Sequence, residues 1–331
     1  MKRRSFLKYS TAILGGITGL YSSVKLDSSH AGKKGETDLK LSLSQWALHR
    51  AIFGNSKENY EQWKTALYTD PDSLWQGNLH PLDFPSKARA LGFDTVEYVN
   101  SLIFGHAQDQ KFLRELNLRC DHNGINNQLI MVDEEGFIGH PDKKERAKAI
   151  QNHKRWMETA QYLGCPYLRV NAFSIGPAEE QKKLAAEGLS QLAEMGLDYD
   201  VKILIENHGG MSSNADWLVE TIARADHQNL GTVVDFDNFT FSEDFIWGDG
   251  QIYNRYIGVQ KLLPFAHSIS AKTHAFDIQG YETSIDYERM MNLIKQSTFN
   301  EYICVEYEGY DKTEEEGILA TKALIEKLYQ I

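Results

Sequence analysis

Four hydrophobic runs in the second half of the chain end in groups able to bind a cation or move a proton. They are Leu204-Ile205-Glu206-Asn207-His208-Gly209-Gly210, Val233-Val234-Asp235-Phe236-Asp237-Asn238-Phe239, Ser270-Ala271-Lys272-Thr273-His274 and Cys304-Val305-Glu306-Tyr307-Glu308-Gly309. Glu206, Asp235, His274 and Glu306 follow one another at steps of 29, 39 and 32 residues, each about one strand-plus-helix unit of a (β/α)8 barrel. Polar groups at the carboxyl ends of successive barrel strands converge on one mouth. Three carboxylates and an imidazole meeting there suit a divalent cation.

The rest of the chain supplies the elements such a mouth needs. Strands are expected near 41–47, 94–99, 127–132, 166–172, 201–206, 231–235, 267–273 and 301–306. Helices are expected at Phe84–Leu91, Gln108–Leu116, Lys143–Leu163, Glu179–Met195, Asn214–Ala225, Gln260–Phe265, Tyr287–Ser297 and from Glu314 to the end. Lys143–Leu163 is the clearest, with Ala147, Ile150, Trp156, Ala160 and Leu163 near a 3.6-residue period. Leu91-Gly92 and Leu163-Gly164 supply helix-ending glycines before strands. Eight alternating units predict an α/β fold made of a single (β/α)8 TIM barrel over residues 41–331. The competing Rossmann arrangement lacks a G-x-G-x-x-G after an early strand.

With its four segments in that order, the body from about Leu41 to Ile331 resembles the xylose isomerase-like barrels of sugar isomerases and epimerases. In form it is most similar to the exported bacterial proteins of the sugar phosphate isomerase/epimerase type. The resemblance implies one divalent metal ion (Mn, Co, Zn or Mg) held by Glu206, Asp235, His274 and Glu306. Asp237 competes with Asp235, and Glu308 with Glu306, but strand phase favours Asp235 and Glu306. The chain departs from the family on the seventh strand. Many members carry the ligand two residues before the lysine, where Ser270 stands here; His274 lies two residues after Lys272 on the same face.

The resemblance further implies that Glu206 and Glu306 serve as base and acid on opposite faces of a sugar, through an enediolate that a metal stabilises as a Lewis acid. His208, Lys272, Arg169, Asn171, Trp46 and His49 are candidate substrate-binding residues, and Glu97 is expected at the mouth as well. Lys272 has two readings: it bonds a developing oxyanion, or it neutralises the carboxylates. A metal-assisted lyase or hydrolase of keto-glycosides begins with the same proton abstraction. A non-catalytic sugar-binding barrel is the third reading. Homo-oligomers are common in the family.

A net charge of −11 without clustered cations argues against a nucleic-acid partner. Residues 1–31 resemble a twin-arginine export signal, with Arg3-Arg4-Ser5-Phe6-Leu7-Lys8 ahead of an apolar stretch too short for a stable membrane span. Residues 32–40 read as a polar linker, and the expected location is periplasmic. Cys120, Cys165 and Cys304 show no C-x-x-C spacing and are expected as buried thiols, Cys304 on the same inner face as Glu306.

Overall fold

The computed structural model describes residues 39–330; the segment read as an export signal, and most of the linker behind it, lie outside the described residues. Short strands buried on both faces, each followed by a helix, are what a parallel sheet covered by helices requires. The strands are β1 (Leu41–Ser44), β2 (Thr95–Val99), β3 (Asn126–Met131), β4 (Tyr167–Val170), β5 (Lys202–Glu206), β6 (Leu230–Asp235), β7 (Ala266–Thr273) and β8 (Tyr302–Tyr307). They close into one parallel barrel. Leu43 of β1 pairs with Val305 of β8 on one side and Val96 of β2 on the other, which completes the ring.

Eight helices follow in step: α1 (Phe84–Ala90), α2 (Gln110–Asn123), α3 (Lys143–Leu163), α4 (Ala178–Leu197), α5 (Ala215–Ala225), α6 (Arg255–Leu262), α7 (Tyr287–Gln296) and α8 (Glu314–Tyr329). The single (β/α)8 barrel expected from the sequence is the observed fold. In α3 the buried residues Ala149, Ile150, His153, Trp156, Met157, Ala160 and Leu163 form one stripe. The Asp142 side chain accepts from the N–H groups of Lys144 and Glu145 to start this helix, and Gly164 ends it. Trp156 is fully buried, and truncating such a residue to Ala costs about 3–5 kcal/mol. Among the described residues no helix is long and apolar enough to cross a membrane.

Two features of the connections were not expected. Helical segments His49–Phe53 and Tyr60–Thr69 fill the long link between β1 and α1. A short antiparallel ribbon, Thr240–Phe241 with Gln251–Ile252, forms after β6. Both lie on the side of the strands' carboxyl ends, so they build walls above the mouth.

The barrel floor is polar. Glu97 accepts hydrogen bonds from Ser42 Oγ (2.8 Å) and Ser268 Oγ (3.0 Å). Burial pushes its carboxyl up to about 7, against hydrogen bonds from Ser42, Ser268 and Cys304. Glu97 therefore does not stand at the mouth as expected. It sits mid-strand with its carboxyl turned into the interior onto Ser42 and Ser268. Cys304 shares that interior, and all three cysteines are free and buried.

Candidate active site

Four strands deliver charged side chains from their last residues to one place. Glu206 ends β5, Asp235 ends β6, Lys272 is the penultimate residue of β7, and Glu306 that of β8. Lys272 Nζ lies 3.3 Å from Asp235 Oδ2, 3.4 Å from Glu306 Oε1 and 3.5 Å from Glu308 Oε1. Burial opposes its charge, but Asp235, Glu308, Glu306 and Glu206 hold the ammonium well above the ordinary lysine range. Asp235 Oδ1 accepts from the N–H groups of Asp237 and Asn238, both at 2.7 Å. That leaves its other oxygen directed at Lys272.

Arg169, on β4, organises the opposite side. Its Nη1 donates to Asp133 Oδ1 at 2.7 Å, and its Nε stands 2.8 Å from Glu206 Oε2. The second contact is a charge pair out of line for a hydrogen bond. Against the cost of burial, the charge of Arg169 and hydrogen bonds from Arg169 and Asn171 keep Asp133 well below the usual carboxylate range. Glu206 has the poorer share of the guanidinium, and burial pushes it up to about 8. Burial likewise raises Glu306 and Asp235. Glu308 moves the other way: burial is outweighed by Lys272, with a further hydrogen bond from Trp46 Nε1 at 2.7 Å, so it stays ionised.

These groups line a cavity of about 250 Å³ whose upper walls are aromatic: Trp46, Tyr60 and Trp63 from the β1–α1 link, Phe173, and Trp247 from the link after β6. Lys57 Nζ rests 3.9 Å above the Trp46 ring. Gly209 lets Trp247 come in: its φ is +81°, and a Cβ there would meet the Ile246 carbonyl oxygen at 2.6 Å. Trp247 packs edge-on to His208, with centroids 4.7 Å apart. A larger hollow of about 1010 Å³ lies outside the mouth, between Tyr68, Phe104 and Arg155. It contains none of the strand-end groups, so the smaller cavity is the candidate site.

Of the residues singled out from sequence, Glu206, Glu306, Lys272, Arg169, His208 and Trp46 line the cavity. Asp235 lies beneath it and faces Lys272. Asn171 supports the wall: its Nδ2 donates to Asp133 Oδ1 at 2.7 Å and its Oδ1 meets His208 Nδ1 at 2.9 Å. His49 stacks behind Trp46, with centroids 4.5 Å apart. Burial pushes His49 down to about 4 and His208 down to about 3, so both are neutral at ordinary pH. His274 is not brought among the carboxylates of the mouth. Its Nε2 is 2.8 Å from Asp237 Oδ2, and Asp237 also pairs with Arg255 Nη1 at 2.8 Å. The hydrogen bond that the imidazole donates to Asp237 raises its pKa.

Asp133, Lys57 and Trp247 went unnoticed in the sequence. Asp133 had a signal, since Leu129-Ile130-Met131-Val132-Asp133 is also a hydrophobic run closed by a carboxylate. Lys57 and Trp247 sit in irregular connections without periodicity.

Residues 85–328 match the Xylose isomerase-like TIM barrel family. The chain belongs to that family. No curated protein sequence matches it. Among solved structures it is similar to an L-ribulose 3-epimerase (TM-score 0.62, 11% identity, covering 88% of this chain and 95% of the other). It is also similar to the 3-keto-D-glucoside 4-epimerase of E. coli (TM-score 0.60, 14% identity, 75% and 94% covered). A third likeness is to a xylose isomerase-like TIM barrel protein from Mycobacterium smegmatis in complex with magnesium (TM-score 0.58, 14% identity, 89% and 98% covered).

The four-ligand metal set implied for a xylose isomerase-like barrel does not fit the residues as they stand here. Among the described residues no group of three or more His, Cys, Asp and Glu side chains is disposed around a metal position. Position 270 on β7 offers a serine hydroxyl, and His274 is engaged with Asp237. The point on which Asp235, Glu306 and Glu308 converge holds the Lys272 ammonium.

Proposed function

We propose that the protein is an enzyme of the sugar isomerase/epimerase class, which removes a proton beside a carbonyl group and returns it to the same or the neighbouring carbon. What carries this reading is that Glu206 and Glu306, from β5 and β8, line one aromatic-walled cavity with the Lys272 ammonium beside them. Carboxylates suit the proton transfers when burial raises their pKa toward neutrality. Aromatic faces suit the apolar faces of sugar rings, and Arg169, Asn238 and His208 offer polar edges to hydroxyls.

In this reading one glutamate, ionised, accepts the proton from the substrate carbon. The C–H electron pair moves into a new C=C bond, and the carbonyl π pair moves onto oxygen. The other glutamate, protonated, returns a proton. Return to the opposite face of the same carbon, with the oxygen pair re-forming the C=O bond, gives an epimer. Return to the former carbonyl carbon gives an isomer, the neighbouring hydroxyl passing its proton to that carbon's oxygen and becoming the new carbonyl. The cavity is lined by Asp133, Glu134, Glu206, Glu306 and Glu308 against Lys57, Arg169 and Lys272, an excess of negative charge that disfavours a phosphorylated substrate. A neutral sugar is the substrate class. The protein is placed outside the cytoplasm, a reading that rests on Arg3-Arg4 and the apolar stretch after them and is tested by cell fractionation.

Incubation with a panel of neutral keto-sugars in D2O tests the reaction by mass spectrometry and NMR. Deuterium at the carbon next to the carbonyl, in one product of unchanged mass apart from the label, is the expected outcome. Two fragments would point to keto-glycoside cleavage, and binding without exchange to a sugar-binding barrel.

A further inference from the structure

At this barrel mouth, β5, β6 and β8 close on carboxylates, while β7 closes on Ser270 and Lys272. Lys272 is 4% exposed and stands 3.3–3.5 Å from oxygens of Asp235, Glu306 and Glu308. Its place is fixed from two directions. Tyr287 Oη donates to the Lys272 carbonyl at 2.8 Å, which pins the strand from α7. The N–H groups of Asp237 and Asn238 orient the Asp235 carboxylate toward the ammonium. Lys272 also lines the cavity, so an oxygen of a bound sugar can reach it.

We propose that Lys272 is the resident cation of the site and replaces the divalent ion that metal-dependent barrels of this shape use. The inference rests on the proton-transfer reading and adds the group that stabilises its intermediate. When the carbonyl π pair moves to oxygen, the enediolate oxyanion lies against a preorganised N–H donor of Lys272. Such a donor is worth most in a dry, charged cavity. The lysine keeps its proton throughout: Glu206 and Glu306 exchange the proton with carbon, and the ammonium stabilises charge. The carboxylates below and beside it keep it in position and charged, a task that metal ligation would otherwise give them.

The test is a Mn2+ titration of the EDTA-dialysed protein, followed by electron paramagnetic resonance, in parallel with Lys272→Gln. The wild type is expected to leave the Mn2+ signal unaltered and to keep its solvent-exchange activity after EDTA. The variant, its carboxylates deprived of their internal cation, is expected to take up Mn2+ and to lose exchange about 10²–10³-fold. A wild type that binds Mn2+ stoichiometrically, or whose exchange vanishes with EDTA and returns with Mn2+, would overturn the inference. So would a folded Lys272→Gln protein that takes up no Mn2+. If the variant does not fold, by circular dichroism, the wild-type measurements decide alone. A wild type that binds no Mn2+ and exchanges no sugar sinks the isomerase reading and leaves Lys272 as the cation of the site.

Discussion

Arg169 holds two carboxylates at once: Asp133 Oδ1 at 2.7 Å through Nη1 and Glu206 Oε2 at 2.8 Å through Nε. The guanidinium is 3% exposed, so its removal strands the buried Glu206 and the half-buried Asp133. Breaking a buried ion pair from one side costs about 3–5 kcal/mol. Arg169→Gln is expected to lose stability on that scale in urea unfolding, and to lose sugar exchange along with it. A loss below about 1 kcal/mol, the range of exposed pairs, would contradict the buried role.

Of the four glutamates that line the cavity, Glu206 and Glu306 have tasks separable from those of the carboxylates beside them. Glu206→Gln and Glu306→Gln are each expected to cut solvent-deuterium exchange about 10²–10⁴-fold with folding intact. Asp237→Asn, whose carboxylate serves His274 and Arg255, is expected to leave exchange within about tenfold, since it touches no reacting group. Initial exchange rates for the three variants decide between this assignment and its converse.

His274 provides an independent check. Its ion pair is with Asp237, and Glu308 and Lys272 act on it only at longer range. His274→Ala is therefore expected to change exchange by less than tenfold, whereas disturbing even the outer partners of a metal commonly costs 10–100-fold. A larger loss, recovered by added metal ion, would restore His274 as a ligand.

The sequence made the barrel legible because each strand is a closed apolar run and each helix an apolar stripe. All eight strands fall within a few residues of their expected places, and α3 spans Lys143–Leu163 as its periodicity required. The site was legible where a strand end carries its group, as at Glu206, Asp235, Lys272 and Glu306. It was not legible where partners come from irregular links. Lys57 and Trp247 reach the cavity from segments without periodicity, and nothing in the spacing of His274 reveals that Asp237 takes its imidazole. Glu97 was misplaced because strand phase gives the face but not the depth.

Trp46 combines a ring wall with a hydrogen bond to Glu308 at 2.7 Å. Trp46→Phe keeps the wall and removes the N–H donor; Trp46→Ala removes both. Loss of ring contact worth about 0.5–1.5 kcal/mol corresponds to an increase in KM of roughly 2–10-fold. The expected pattern is a raised KM in Trp46→Ala and a nearly wild-type KM in Trp46→Phe. Equal KM values in both variants would remove the ring from sugar binding.

Gly309 sets the top of β8 against β7: a Cβ there would meet the His274 carbonyl oxygen at 1.6 Å. Because backbone meets backbone, Gly309→Ala cannot be absorbed by a rotamer change and is expected to cost about 1–3 kcal/mol. Thermal unfolding reads this directly, and an unchanged Tm would show that the two strand ends are free to separate.

The most direct measurement is deuterium uptake from D2O into neutral keto-sugars, compared between the wild type and Glu306→Gln. Uptake at the carbon beside the carbonyl, lost in the variant, is the result predicted for a proton-transfer barrel. No uptake with any sugar, or equal uptake in both proteins, would contradict it.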